Sequence, residues 1–287
     1  MTDFGGRSGV DLFSSGEIDY TGIGAGDASW IVYDPTLGPQ LRRTESFSVS
    51  YYGFATEVPP FDDARVRLAF AQAVDWERMV SLAGSLPATS MVPPGVPGRD
   101  DEDHRPAYDP DAARTLLAEA GFPDGAGFPR VTLATYGVGF EQTVAAELEA
   151  NLGVVVDVEG YDFQPYLETV AGPAAPQIWT LSWIADYPHP HDFLGLLLET
   201  GSGSNTGRFS NADYDALIEQ AAATADTSEQ AALYAQAQEI LEREVPVVPV
   251  AYDESWALSR DGLQGALQAG VGFIRYAGLT WAPGTGR

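Results

Sequence analysis

The sequence predicts an α/β fold in which a mixed, mostly parallel sheet is flanked by helices. The first observation is that short β-branched runs alternate with helical patterns after Arg130. The second is that 45% of the 287 residues are apolar, which is ample for the buried core of one or two domains. The third is that glycine and proline punctuate these segments where helices end and loops begin.

The N-terminal region predicts helices at residues 10–15 and 25–33 around a strand at residues 18–23. A longer helix begins at Asp62 or Asp63, either of which suits an N-cap. Its core face consists of apolar residues at helical spacing: Val66, Ala69, Phe70, Ala73 and Val74.

Residues 87–108 are rich in proline, glycine and aspartate, which predicts a long surface loop. The next helix begins at Pro110, directly after Asp109, and ends at Gly121.

A β-α-β series follows. It predicts strands at residues 131–136, 154–159 and 178–183 and helices at 140–151 and 163–170. Right-handed crossovers would bring the carboxyl ends of these strands to one edge, where open sheets bind ligands. Helices at 212–223 and 229–243 then lead to residues 245–252, an apolar run that contains Pro246 and Pro249. The two prolines favour an edge or crossover strand over a central one.

The run from Trp183 to Leu194 places a carboxylate and aromatic faces on an irregular loop after a strand. This arrangement suits a ligand that carries an amine. Residues 201–209 form a second loop, which is rich in glycine, serine and asparagine. It lacks the Lys-Ser/Thr pair and the preceding strand of a phosphate loop, so a flexible ligand-facing loop or a plain turn is expected.

Several blocks resemble the family 5 extracellular solute-binding proteins. The segment Pro59–Asp75 (PPFDDARVRLAFAQAVD) is similar to the most diagnostic helix of that family. Further resemblances occur in chain order at residues 14–20, 87–95, 108–122, 183–194 and 245–252. Together they span nearly the whole chain.

The resemblance implies a lobe of the periplasmic-binding-protein-like type II fold. Residues 46–252 are expected to form the second α/β lobe of such a receptor. Residues 1–45 are expected to be a remnant of the first lobe, and residues 253–287 to return into it.

The resemblance further implies the solute-binding component of an ABC importer. Such a receptor closes two lobes on a peptide, nickel chelate or oligosaccharide and delivers it to membrane permease subunits. A monomer at the periplasmic or extracellular face is expected. The sequence opens without an export signal or a large first lobe, so a truncated chain is favoured over a stand-alone half receptor. A scaffold protein derived from such a receptor is the alternative function.

Asp186 is the first candidate binding residue, because the resemblance implies that an acidic residue three positions after Trp183 receives the α-amino group of a peptide. A role as a helix cap is the alternative. Trp183 and the neighbouring Tyr187 would pack against the ligand, although Trp183 could equally anchor the strand end.

Three weaker candidates complete the predicted site. Tyr136 follows a strand end, Asn205 lies in the glycine-rich loop, and Arg208 could receive a ligand carboxylate. For each of them a structural or plain surface role is the competing interpretation.

Composition argues against several other functions. There is no cysteine, no lysine and a formal net charge of −26, which disfavours nucleic-acid binding and removes disulfides, thiolate metal sites and Schiff-base chemistry. No apolar run is long enough to span a bilayer. The spacing of His189 and His191 does not match a catalytic zinc motif. Carboxylates are abundant, so a hydrolase with a glycosidase-like carboxylate pair stays open as a remote alternative, but nothing in the sequence singles out such a pair. The sequence predicts no enzyme, no metal and no cofactor.

Overall fold

A computed structural model describes residues 6–137, 139–172, 175–265, 270 and 276–285. The chain divides into two compact units. The smaller unit comprises Met1–Phe47 and Asp253–Arg287, and the larger unit comprises Ser48–Tyr252.

The described α-helices are α1 (Gly9–Ser14), α2 (Ala25–Ile31), α3 (Ala64–Gln72), α4 (Trp76–Leu82), α5 (Pro110–Glu119), α6 (Glu141–Leu152), α7 (Phe163–Ala171), α8 (His191–Leu198), α9 (Ala212–Ala223) and α10 (Thr227–Glu244). The described strands are β1 (Tyr20–Ile23), β2 (Leu41–Phe54), β3 (Leu86–Pro87), β4 (Val131–Thr135), β5 (Val156–Gly160), β6 (Ile178–Ile184), β7 (Val247–Ser259), β8 (Leu263–Gln264) and β9 (Thr280–Trp281).

The larger unit is built on a mixed sheet. Strands β7, β2, β6, β4 and β5 lie side by side in that order. Strand β4 pairs in parallel with both β5 and β6, whereas β2 runs antiparallel to β6. The predicted α/β fold with flanking helices is confirmed, and so is the β-α-β series that forms its parallel part.

The core of the larger unit lies where helices cover this sheet. Phe54 stacks on Phe61 with ring centroids 5.0 Å apart, and Phe70 meets Phe61 edge-on at the same distance. Helix α3 begins where the Asp63 side chain accepts a hydrogen bond from the Arg65 backbone N–H, as an N-cap should.

Arg67 is the buried charge of this core. Its guanidinium donates to the carbonyl oxygens of Phe61 (2.7 Å) and Glu244 (2.7 Å), and one nitrogen lies 3.3 Å from the Glu244 carboxylate. These contacts join the start of α3 to the end of α10. Burial lowers the pKa of Arg67, and the nearby carboxylates oppose that shift.

Two expectations need correction, and a third is confirmed. Strand β2 is absent from the sequence-based prediction, although it is a 14-residue strand. Strand β7 begins in the larger unit and continues past Asp253 into the smaller one, so the crossover interpretation of the proline-containing run is confirmed. Residues 87–108 form few regular elements, as expected, but they are not a surface loop throughout.

The segment after β3 turns inward because its apolar side chains are buried: Ala88, Met91, Val92 and Val96. The Tyr252 hydroxyl fixes this turn by donating to the carbonyl oxygen of Ser90 (2.9 Å) and accepting from the Ser90 backbone N–H (2.9 Å). Backbone groups that leave the solvent in this way need such partners.

The smaller unit has its own core. Strand β1 pairs antiparallel with the second half of β7, from Tyr20 opposite Ser259 to Ile23 opposite Trp256. Helix α1 begins with a capping box between Ser8 and Asp11. The apolar core of the smaller unit contains Val10, Phe13, Ile31, Leu37 and Leu258.

Candidate functional site

The carboxyl ends of β4, β5 and β6 meet at one edge of the larger unit, because these three strands are parallel. Residues 185–190 connect β6 to α8 at this edge, and we call them the acidic loop. Trp183, Asp186 and Tyr187 lie at or just beyond the end of β6, as the sequence predicts.

The acidic loop presents its carboxylate to solvent. The side chain of Asp186 is exposed, and Tyr187 is 38% exposed, whereas Ala185 between β6 and Asp186 is buried. An exposed carboxylate beside an aromatic ring can receive an ammonium group while the ring covers an apolar part of the ligand.

A second carboxylate, that of Asp192, lies beneath the acidic loop. Its Oδ2 accepts a hydrogen bond from the indole N–H of Trp183 at 2.8 Å and another from the backbone N–H of Asp186 at 3.1 Å. Asp192 is fully buried. One oxygen atom thus links the strand end, the acidic loop and the first turn of α8.

Burial raises the pKa of Asp192, because the charged form loses its hydration. The hydrogen bond from Trp183 and the backbone N–H groups of Asp186 and Tyr187 oppose this rise in pKa, and the negative charge of Asp186 adds to it. Two carboxylates of one short segment therefore repel each other until a cation approaches.

Two histidines, His189 in the acidic loop and His191 at the start of α8, make hydrogen bonds in this segment. The Tyr187 hydroxyl lies 2.8 Å from Nδ1 of His191. His189 accepts a hydrogen bond at Nδ1 from the His191 backbone N–H (3.2 Å), so its Nε2 carries the proton that reaches Oε1 of Gln230 (3.0 Å). Burial raises the pKa of the Tyr187 hydroxyl, and the charges of Asp192 and Asp186 raise it further.

Tyr136 lies at the same edge. Its hydroxyl lies 3.5 Å from Oγ of Ser182, the residue before Trp183. Its ring packs against Phe163 and Tyr166, with centroid separations of 5.3 and 5.0 Å. Phe163 is 57% exposed, so this aromatic group offers an apolar face at the carboxyl ends of β4 and β5.

The Tyr166 side chain stabilises the part of β6 that extends beyond its pairing with β4. That pairing covers only Ile178 and Trp179. At the next residue, Thr180, the Tyr166 hydroxyl accepts from the backbone N–H at 2.9 Å and donates to the carbonyl oxygen. The side chain thereby satisfies strand groups that have lost their neighbour.

Asn205 has a different environment. It lies in residues 199–211, which connect α8 to α9 and which we call the glycine loop. Its amide nitrogen donates to the carbonyl oxygens of Leu198 (3.3 Å), Glu199 (3.1 Å) and Phe209 (2.8 Å), and its oxygen accepts from the Phe209 backbone N–H (3.0 Å). These contacts hold the loop together and favour the structural interpretation of Asn205.

Arg208 lies near the start of β6 instead of its end. The backbone N–H of Thr56 donates to the carbonyl oxygen of Gly207 at 3.0 Å, and Ala55 is bonded in the same way to Gln177, just before β6. Because a strand advances about 3.3 Å per residue, the five steps from Ile178 to Trp183 span about 17 Å. The structure therefore separates Arg208 from Asp186.

The structure thus places Trp183, Asp186 and Tyr187 in one segment at the end of β6. Tyr136 lies at the neighbouring strand end and contacts Ser182, whose side chain points to the opposite face of β6 from that of Trp183. Asn205 and Arg208 lie elsewhere in the same unit. Asp192 is not among the predicted binding residues. An acidic residue in the first turn of a helix usually interacts favourably with the helix dipole, so its residue type and position do not mark it as part of a site. No signal in the sequence shows that it faces the Trp183 indole.

The part of the chain that the structure describes holds neither a cluster of metal-binding side chains nor a membrane-spanning helix. Within it, no group of three or more histidine, aspartate or glutamate side chains is arranged to hold a metal ion. None of the helices described is both long enough and apolar enough to cross a bilayer.

Comparison with known proteins identifies a family. The family model described as "Bacterial extracellular solute-binding proteins, family 5 Middle" matches residues 7–205. Heme-binding protein A of Haemophilus influenzae is 30% identical over 258 residues, which are 86% of this chain and 46% of that protein. The oligopeptide-binding protein OppA of Bacillus subtilis is 26% identical over 286 residues, 92% of this chain and 51% of OppA.

A solved structure gives the same result. HbpA2 from Haemophilus parasuis superposes with a TM-score of 0.82 at 25% sequence identity. The superposition covers 96% of this chain and 56% of the HbpA2 chain. This chain therefore spans about half the length of the curated relatives that it matches.

Proposed function

Because the chain belongs to the family 5 bacterial extracellular solute-binding proteins, we propose that its larger unit binds a small solute through an ammonium group. The observation that carries the proposal is the exposed carboxylate of Asp186 at the carboxyl edge of the sheet. An α-amino group would form a charge-assisted hydrogen bond there, which is about twice as strong as a neutral one.

Peptides are the class of solute that fits this surface best. The charge of Asp186 would bind the N-terminus, while Trp183, Tyr187 and Tyr136 would contact the first residues of the peptide. A relative named for oligopeptide binding supports this choice. Another relative is named for heme binding, so the family also includes proteins named for other solutes.

In the whole protein, we propose, a second lobe closes over this surface and buries the solute. The closed form would then deliver the solute to the permease subunits of an ABC importer at the periplasmic or extracellular face of the cell. The proposal includes no catalytic step. No relative described above is named as a scaffold, so no observation favours the scaffold alternative.

Binding by the present chain should be weak, on the order of 1 mM, because a single lobe removes water from only one side of a ligand. The test is a titration of ¹⁵N-labelled protein with trialanine and with N-acetyl-trialanine, followed by NMR. The acetyl group removes the positive charge of the amine and leaves the rest of the peptide unchanged.

Asp186→Asn is the informative variant, and Asp213→Asn is its control because Asp213 is also an exposed aspartate. Trialanine should shift the resonances of the wild type and of Asp213→Asn, while N-acetyl-trialanine and the Asp186→Asn variant should give little response. Equal responses to the two peptides, or a full response from Asp186→Asn, would contradict the proposal. So would the absence of any trialanine-dependent shift in the wild type.

A further inference from the structure

Asp192 differs from an ordinary acidic residue at a helix N-terminus. It is the second residue of α8, and Asp213 is the second residue of α9. Asp213 is exposed, whereas Asp192 is fully buried. A favourable interaction with the helix dipole is available to both positions, so it does not explain why one of them is buried.

Burial of Asp192 is unfavourable by itself. A carboxylate that leaves water must recover its hydration through hydrogen bonds. Oδ2 of Asp192 accepts two of them, but Oδ1 is buried and has no hydrogen-bond partner among the described residues. An apolar residue would avoid this penalty, so a stabilising role does not account for Asp192.

The two donors to Oδ2 of Asp192 belong to residues that the proposed function uses. One is the indole of Trp183, whose ring orientation the hydrogen bond sets. The other is the backbone N–H of Asp186, which fixes the peptide plane from which the exposed carboxylate projects. Both bonds end on one oxygen atom, so the separation of the two groups is fixed as well.

We propose that Asp192 is a positioning residue, which holds the Trp183 ring and the Asp186 carboxylate in the arrangement that receives an ammonium ligand. This inference rests on the proposed function for its purpose, but the positioning itself can be measured without a ligand. The negative charge of Asp192 also lies beneath Asp186. The acidic loop therefore attracts a cation more strongly than a single surface carboxylate would.

The test compares Asp192→Ala and Asp192→Asn with the matched control Asp213→Ala in the 287-residue chain. The observables are the indole N–H resonance of Trp183, assigned with Trp183→Phe, and the backbone amide resonance of Asp186. In Asp192→Ala the indole N–H should exchange with solvent about 10-fold faster, since a hydrogen bond to a charged group is lost. Asp213→Ala should leave both resonances where they are.

Asp192→Asn keeps the shape of the side chain and removes the charge, so it decides the matter if the alanine variant does not fold. In the wild type, the Trp183 indole resonance should follow the titration of the Asp192 carboxyl as the pH changes. In Asp192→Asn this dependence on pH should disappear, and the resonance should move upfield. Identical pH profiles for the two proteins would overturn the inference.

Titration of the same samples with trialanine separates the two proposals. Weaker binding by about 10-fold in Asp192→Ala, together with the indole change, supports both. If the wild type fails to bind trialanine while the indole responds to Asp192, the proposed function is wrong and the positioning stands. If Asp192→Ala and Asp213→Ala give the same Trp183 and Asp186 resonances, the positioning is wrong whatever the peptide does.

Discussion

The acidic loop and the glycine loop flank the same helix, α8, yet they use their polar side chains in opposite ways. In the acidic loop the Asp186 carboxylate faces solvent, and buried groups such as Asp192 hold its backbone from below. In the glycine loop the Asn205 amide faces inward and binds the backbone of its own loop.

The difference shows which polar side chains are available to bind a ligand. A polar side chain whose hydrogen bonds are already made within the protein has little left to offer a ligand. A side chain that is exposed on a rigidly held backbone can bind without first being ordered. We therefore expect the acidic loop to bind the ligand and the glycine loop to contribute structural stability.

The largest expected effect is on stability. Asn205→Ala should lower the free energy of unfolding by about 3 kcal/mol, because it removes four hydrogen bonds and leaves buried backbone groups without partners. Denaturant unfolding measures this change. Gln220→Ala is the control, since that exposed amide makes one hydrogen bond, to Ala216, and should cost less than about 0.5 kcal/mol. Equal costs for the two variants would break the comparison.

The second prediction concerns the affinity for trialanine, which should depend on the acidic loop and not on the glycine loop. Asp186→Ala should weaken trialanine binding by about 10-fold or more, as expected for the loss of a hydrogen bond to a charged group. It should change stability by less than about 0.5 kcal/mol because the side chain is exposed. Folded Asn205→Ala should bind trialanine like the wild type. A loss of stability in Asp186→Ala without a loss of affinity would reverse the assignment of the two loops.

Local sequence patterns are sufficient to predict the position of the acidic loop. The alternation of strands and helices placed Trp183 and Asp186 at the carboxyl edge of the sheet, and the structure has them there. That edge depends on short crossovers between parallel strands, which local patterns reveal.

The location of Arg208 could not be predicted in this way. It depends on the pairing of β2 with β6, two strands that are separated by more than 100 residues in the sequence. The sequence of β2 also contains arginine, glutamate and serine residues, so its strand pattern is weak. The partners of Asn205 and Asp192 likewise depend on how loops fold back, which residue type alone does not specify.

The buried carboxylate beneath the acidic loop predicts a dependence on pH. Because burial raises the pKa of Asp192, the folded state binds this proton more tightly than the unfolded state does. This contribution to stability is therefore present below the ordinary carboxyl pKa and is lost as the pH rises through the raised value. Over that range the stability of the wild type, relative to Asp192→Asn, should fall as the pH increases. Thermal unfolding of both proteins across the range measures it, and a relative rise would contradict the burial argument.

The smallest expected effect concerns the backbone of the glycine loop. Arg208 has a φ of 56°, a left-handed conformation that glycine adopts without strain. Arg208→Gly should therefore stabilise the protein slightly, by about 0.5 kcal/mol after the entropy cost of glycine. The Arg208 side chain is 58% exposed, and its ion pair with Glu57 is long at 3.8 Å. Removing the side chain should therefore cost little stability. Denaturant unfolding gives the stability, and trialanine affinity should not change. A loss of affinity would return Arg208 to the binding site.

The most direct measurement is to map which backbone amides respond when trialanine is added to ¹⁵N-labelled protein. We expect the resonances of the acidic loop, above all those of Asp186 and Tyr187, to shift with trialanine and not with N-acetyl-trialanine. We expect no comparable shift in the glycine loop. A response centred on residues 201–209, or an equal response of the acidic loop to the acetylated peptide, would contradict this expectation.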